Sequence, residues 1–192
     1  MMDAETVGRG GRVRSVLRRW PTAVALALFV PDVVDGVPTD PGAAATFGEA
    51  LPLLPLAYLV LAKWGRRWLT WPVVFAGVAC VAALRAFDLM APSTFLVGVA
   101  LAVLVWSVVD GDLKRSGELR LQAVGVLVFG AFALAGLAID VDLGRYVVAA
   151  GWLFHGVWDF VHLWRDKVVA RSFAEWCGVV DVLVAVQLVF LI

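Results

Sequence analysis

The sequence predicts an all-α membrane protein, a polytopic bundle of seven transmembrane helices with its N-terminus in the cytoplasm. Three observations carry this. The chain is 62% hydrophobic and 17% charged, whereas soluble domains average about 45–50% and about 25%. Its apolar residues fall in blocks of about 20, the length that crosses roughly 30 Å of hydrocarbon. Its basic residues gather in alternate connections, as they do when cytoplasmic loops retain Lys and Arg.

Taken in order, residues 1–19 form a polar, arginine-rich cytoplasmic tail, and residues 20–192 a single transmembrane domain. The apolar segments run over 20–37, 43–62, 68–86, 89–109, 120–139, 145–164 and 173–192. The first is short and carries Pro31, Asp32 and Asp35. A basic stretch followed by Ala23–Val30 also suits a signal peptide, but no good small-residue cleavage site follows it. In the second segment Pro52 and Pro55 predict a bend that frees backbone carbonyls. Gly and Pro inside the other segments agree with membrane helices, where both are common.

Placing the N-terminus inside puts fourteen of the sixteen Lys and Arg on the inner side, all but Arg85 and Arg145. The outer connections carry Asp35, Asp40, Asp88, Asp140 and Asp142. A wrong helix count would break that alternation. Arg85 and Asp88 read as a local i, i+3 pair at a helix end. Six of the nine tryptophans (Trp20, Trp64, Trp68, Trp71, Trp106 and Trp164) gather at the inner boundary, the interfacial belt of a membrane protein.

Composition also excludes functions. Zero formal net charge offers no basic surface to nucleic acid, leaving the lipid bilayer and lipid-soluble molecules as partners. Cys80 and Cys177 fall toward opposite sides, so neither a disulfide nor a cysteine metal site is expected. A retinal-type Schiff base needs a lysine in the last helix, and Lys63, Lys114 and Lys167 all lie in inner connections.

Ionisable residues inside hydrocarbon cost a few kcal/mol each, about 2.5–3.5 for Asp, and so face the bundle interior. His155, Asp159 and His162 stand at i, i+4 and i+7, on one face of the sixth helix, with Trp152 and Trp158 beside them. That face suits proton handling, or a polar network locking helices together. A metal shared by both histidines and Asp159 is disfavoured, because they spread over roughly 10 Å of helix axis. Asp181 falls near the middle of the seventh helix, at a depth similar to Asp159. Glu49 belongs to the bent second helix, as a pocket acid or one that reaches the outer interface. Glu175 lies near the inner interface, where it can face headgroups. A protonated buried carboxyl is what an acid catalyst needs, and aromatic faces such as Trp152 and Trp158 stabilise cations.

The layout of seven short spans, with Glu49 in the second and Asp181 in the last, resembles the small integral-membrane terpene cyclases, including bacterial members that close farnesylated indoles. The resemblance implies that Glu49 and Asp181 start cyclisation of a prenylated substrate by protonating an epoxide or alkene, with no cofactor and no metal. His155 or His162, held by Asp159, would accept the final proton, and Trp152 and Trp158 would bind substrate. Two other classes remain open: a metal-dependent intramembrane lipid hydrolase using His155, Asp159 and His162, and a small proton-coupled transporter or accessory subunit.

Overall fold

The computed structural model describes residues 19–34 and 42–190, and among these there is no β-strand. The first apolar segment forms α1 (Trp20–Val34), and the second splits into α2 (Gly42–Ala50) and α3 (Leu53–Trp64). A 3-10 turn at Arg67–Leu69 leads into α4 (Thr70–Ala86). Then come α5 (Pro92–Val109), a single turn α6 (Asp112–Arg115), α7 (Gly117–Ala138), α8 (Val141–Arg165) and α9 (Arg171–Phe190). The break between α2 and α3 falls at Leu51–Pro52, where the missing proline N–H interrupts the helical ladder. The α2–α3 pair, α4, α5, α7 and α9 are five helices long and apolar enough to cross a membrane. The 25 residues of α8 also suffice in length, at about 1.5 Å per residue. The side chain of Asp32, the residues Asp35 and Asp40, and the tail at 1–18 lie outside what is described.

Helix ends are set by local chemistry. Ser116 and Asp140 cap α7 and α8 by accepting hydrogen bonds from the amides of Leu119 (3.2 Å) and Leu143 (2.9 Å), filling donors that a helix N-terminus leaves open. Gly65 ends α3 at φ 65°, its amide bonded to the Leu61 carbonyl. Such a left-handed closure costs glycine little.

The core is an antiparallel hairpin of α8 and α9, with α7 against α8, α3 against α7 and α1 against α9. Glycines bring α8 and α9 close. A Cβ on Gly156 would stand 3.1 Å from the Asp181 Cβ and 3.3 Å from the Gly178 carbonyl oxygen, so a methyl there requires the facing helix to give by a few tenths of an ångström. Small residues make such approaches possible in membrane bundles. By contrast, α4 and α5 expose Phe75, Val78, Leu101, Val105 and Val109. So large an apolar surface is characteristic of lipid contact.

Basic residues of several helix ends meet at one end of the bundle. Lys63 binds Asp110 and Asp112 (both 2.6 Å) and lies 4.6 Å from the centroid of the Trp106 ring. Arg67 binds Asp166 (2.5 Å), and Arg165 and Lys167 converge on Glu118 at 2.6 and 3.0 Å. Trp20, Trp64, Trp68, Trp106 and Trp164 are exposed. The opposite end differs from the local pairing expected there: Arg85 reaches Glu49 (2.9 Å) and the Thr46 carbonyl (3.2 Å). A guanidinium on a long side chain spans to the neighbouring helix, where two acceptors stand together.

Candidate functional site

The α8 face identified by its spacing points inward, and its members part into two groups. His155 and Asp159 turn toward α9, where Asp181 and Cys177 stand one helical turn apart. All four side chains are inaccessible to solvent and lipid, with relative exposure of 0%. The imidazole Nδ1 of His155 lies 2.8 Å from Asp181 Oδ2 and 3.5 Å from Asp159 Oδ2. The Cys177 thiol donates to Asp181 Oδ1 over 3.7 Å. Tyr58 of α3 donates its hydroxyl to Asp159 Oδ1 at 2.5 Å. Asp159 and Asp181 thus share one imidazole as their only nitrogen partner among the described residues, while Asp159 Oδ2 and His155 Nε2 have no hydrogen-bond partner.

His162 belongs to a second, smaller group. Its Nδ1 is 2.9 Å from the Trp158 carbonyl, one turn back on α8, and its Nε2 is 2.9 Å from the Gln122 amide nitrogen of α7. A carbonyl only accepts, so Nδ1 carries the hydrogen and Nε2 accepts from Gln122. Both nitrogens are thereby committed, and His162 offers none to the acids. Among the described residues the buried Gln122 oxygen has no hydrogen-bond partner.

Aromatic rings pack around both groups. Phe129 lies 4.8 Å from His155, Tyr58 4.8 Å from His162, and Trp158 5.2 Å from His162, centroid to centroid. Trp158 also meets Phe129 edge to face at 5.7 Å. Trp152 faces elsewhere: its indole N–H donates to the Phe47 carbonyl (3.2 Å), and its ring packs on Phe47 in the apolar core. Glu49 is bound to Arg85 and is partly exposed, at 26% of its side chain. Glu175 accepts from Thr22 (2.7 Å) and Arg19 (3.4 Å), tying α9 to the start of α1.

Two participants escaped the sequence reading. Tyr58 stands in an apolar stretch with no periodic polar partner on its own helix, and only the placement of α3 against the α8 face reveals it. Cys177 precedes Asp181 by four residues, so their shared face was available from spacing alone. None of the five principal cavities among the described residues is lined by His155, Asp159 or Asp181. One apolar recess of about 270 Å³ opens between α3, α5 and α7, lined by Pro52, Pro55, Val126 and Gly130. It adjoins Phe129 in sequence without including it.

No protein-family model, no curated protein and no solved structure matches this chain.

Proposed function

We propose that this chain is a multi-pass membrane enzyme performing acid–base chemistry on a lipid-soluble substrate at the Tyr58–Asp159–His155–Asp181 cluster. The single observation that carries the reading is that carboxyls from two helices are held against one imidazole, away from water. An uncompensated charge there is costly. A neutral cluster therefore holds one imidazolium–carboxylate pair and one protonated carboxyl, with Tyr58 fixing the orientation of Asp159.

Within that class, the reaction we favour is acid-initiated cyclisation of a prenylated substrate, without a cofactor. Asp181 gives its proton to an epoxide oxygen or an alkene carbon, and the ring closes as the cation migrates along the chain. A carbon-bound proton is then lost to Asp159, or to His155 once its imidazolium has passed a proton to Asp181 across 2.8 Å, and the cluster returns to its starting protonation, so product and substrate are isomers. Phe129 and Trp158 supply ring faces for the cation. Glu49, the other acid of the terpene-cyclase resemblance, is committed to Arg85, so the initiating role falls to the acids of α8 and α9. Substrate reaches them by displacement of Phe129 from the side of the neighbouring recess.

The test uses membranes containing the chain, supplied with an epoxidised farnesyl-indole and assayed by chromatography and mass spectrometry. A new product of unchanged mass is expected, and Asp181→Asn should abolish it while accumulating normally. Full activity in that variant removes the reading. The tight enclosure of the cluster favours a second reading, a polar lock between helices; Asp181→Asn would then lower thermal stability and leave chemistry untouched.

We further read the chain as seven spans in the cell membrane, with the N-terminus cytoplasmic. The basic clasp of Lys63, Arg67, Arg165 and Lys167 at one end of the bundle supports this, because basic residues are retained on the cytoplasmic side. Reporter fusions should place residue 192 outside. A cytoplasmic C-terminus would remove the seven-span count.

A further inference from the structure

We infer that His155, Asp159, Cys177 and Asp181 form a binding site for one divalent transition-metal ion of the zinc class. One ligand atom from each lies within 4.8 Å of the other three. The arrangement differs from the one suggested by the α8 spacing alone: His162 is committed to Trp158 and Gln122, and α9 contributes two ligands in its place. In a tetrahedral site with bonds of about 2.0–2.3 Å, ligand atoms stand about 3.3–3.8 Å apart. Contraction by on the order of 1 Å, within reach of side-chain rotation, closes this set around an ion.

The donor chemistry selects the metal. One imidazole nitrogen, one sulfur and two carboxylate oxygens suit zinc, whereas magnesium and calcium prefer oxygen alone. Two carboxylates and the Cys177 thiolate offset the charge of a divalent ion and leave one net negative charge, toward which the Tyr58 hydroxyl donates. Independently of the clustering, Asp159 Oδ2 is buried without a hydrogen-bond partner among the described residues, 3.5 Å from His155 Nδ1. A cation bound between them supplies the missing partner. Tyr58 remains on Asp159 Oδ1, the outer-shell contact that orients a ligating carboxylate.

Four protein ligands leave no position open for water or substrate. Closed sets are structural and open ones catalytic, so this site does not supply a hydrolytic metal. An ion here ties α8 to α9 and occupies both acids. Binding displaces the Nδ1 proton of His155, the thiol proton of Cys177 and the proton of the neutral carboxyl, so affinity falls as pH falls. The binding stands by itself; its consequence, inhibition by zinc, rests on the acid–base reading above.

The experiment is zinc titration of the purified full chain in detergent after treatment with a chelator, with bound metal counted by elemental analysis. About one ion per chain is expected, together with a rise in melting temperature. Cys177→Ser and Asp159→Asn, each checked for a monodisperse gel-filtration profile, should weaken affinity at least tenfold, whereas Cys80→Ser should not. Negligible zinc bound by the unaltered chain overturns the site, and so does uptake that both ligand variants leave unchanged. Cyclase assays do not enter these measurements, so loss of the acid–base reading leaves this result intact.

Discussion

Tyr58 and Asp159, separated by 101 residues, are joined by a buried 2.5 Å hydrogen bond that fixes α3 to the α8–α9 hairpin. Removing one partner leaves the other buried and unsatisfied, and a hydrogen bond to a charged group contributes about 1.5–3 kcal/mol. Tyr58→Phe should therefore lower stability by an amount in that range, read by thermal or denaturant unfolding in detergent. Combined with Asp159→Asn, its cost should be non-additive by at least about 0.5 kcal/mol. Strict additivity would mean that the two side chains act independently.

The closest approach of α8 to α9 gives a second, graded prediction. Alanine at Gly156 places a methyl against the Asp181 Cβ and the Gly178 carbonyl. Backbone cannot swing aside, and overpacking of this kind costs about 1–3 kcal/mol. Alanine at Gly178 meets the Phe160 ring at 3.1 Å and the Asp159 Cβ at 3.3 Å. Phe160 is 40% exposed on the outer face and can rotate away. Gly156→Ala should thus be the more harmful substitution in a melting-temperature comparison; the reverse order would mean that the helices cross elsewhere.

A pH effect follows at the exposed end of the bundle. Asp166, which closes α8 at φ 51°, accepts a hydrogen bond from Arg67, and this partner holds its carboxyl below the ordinary value of 3.8. A depressed carboxyl stabilises the fold above its ordinary value, and that contribution fades as pH falls through the lower folded value. Carbon-13 shifts of the Asp166 carboxyl should titrate below the usual aspartate range, and Arg67→Ala should return them to it. An unchanged titration in that variant would assign the depression to another charge.

What the sequence discloses depends on whether a feature belongs to one helix or to the meeting of two. Spacing along α8 placed His155, Asp159 and His162 on one inward face, and Pro52 marked the break between α2 and α3. Partner choice follows instead from rotation and register between helices. Gly156 and Gly178 set how near α9 comes, which decides that Asp181 joins His155. The position of α7 brings Gln122 to His162 and withdraws that histidine from the acids. Tyr58 and Arg85 show the same limit: one supports the cluster and the other captures Glu49, each through a helix that no periodicity could align.

The claim on which the rest depends is that the acids of α8 and α9 lie on touching faces of those helices. Disulfide trapping measures this directly, in a chain whose Cys80 and Cys177 are replaced by serine. A Cβ at position 178 stands 3.3 Å from that of Asp159, close to the roughly 3.5–4.5 Å of disulfide-bonded pairs. Asp159→Cys with Gly178→Cys should lose both free thiols under mild oxidation, with the two helices held together after proteolysis until reductant is added. The control, Gly178→Cys with cysteine at the outward-facing Val157, should keep its thiols. Free thiols in the first protein, or equal cross-linking in the second, would contradict the proposed meeting of Asp159 and Asp181.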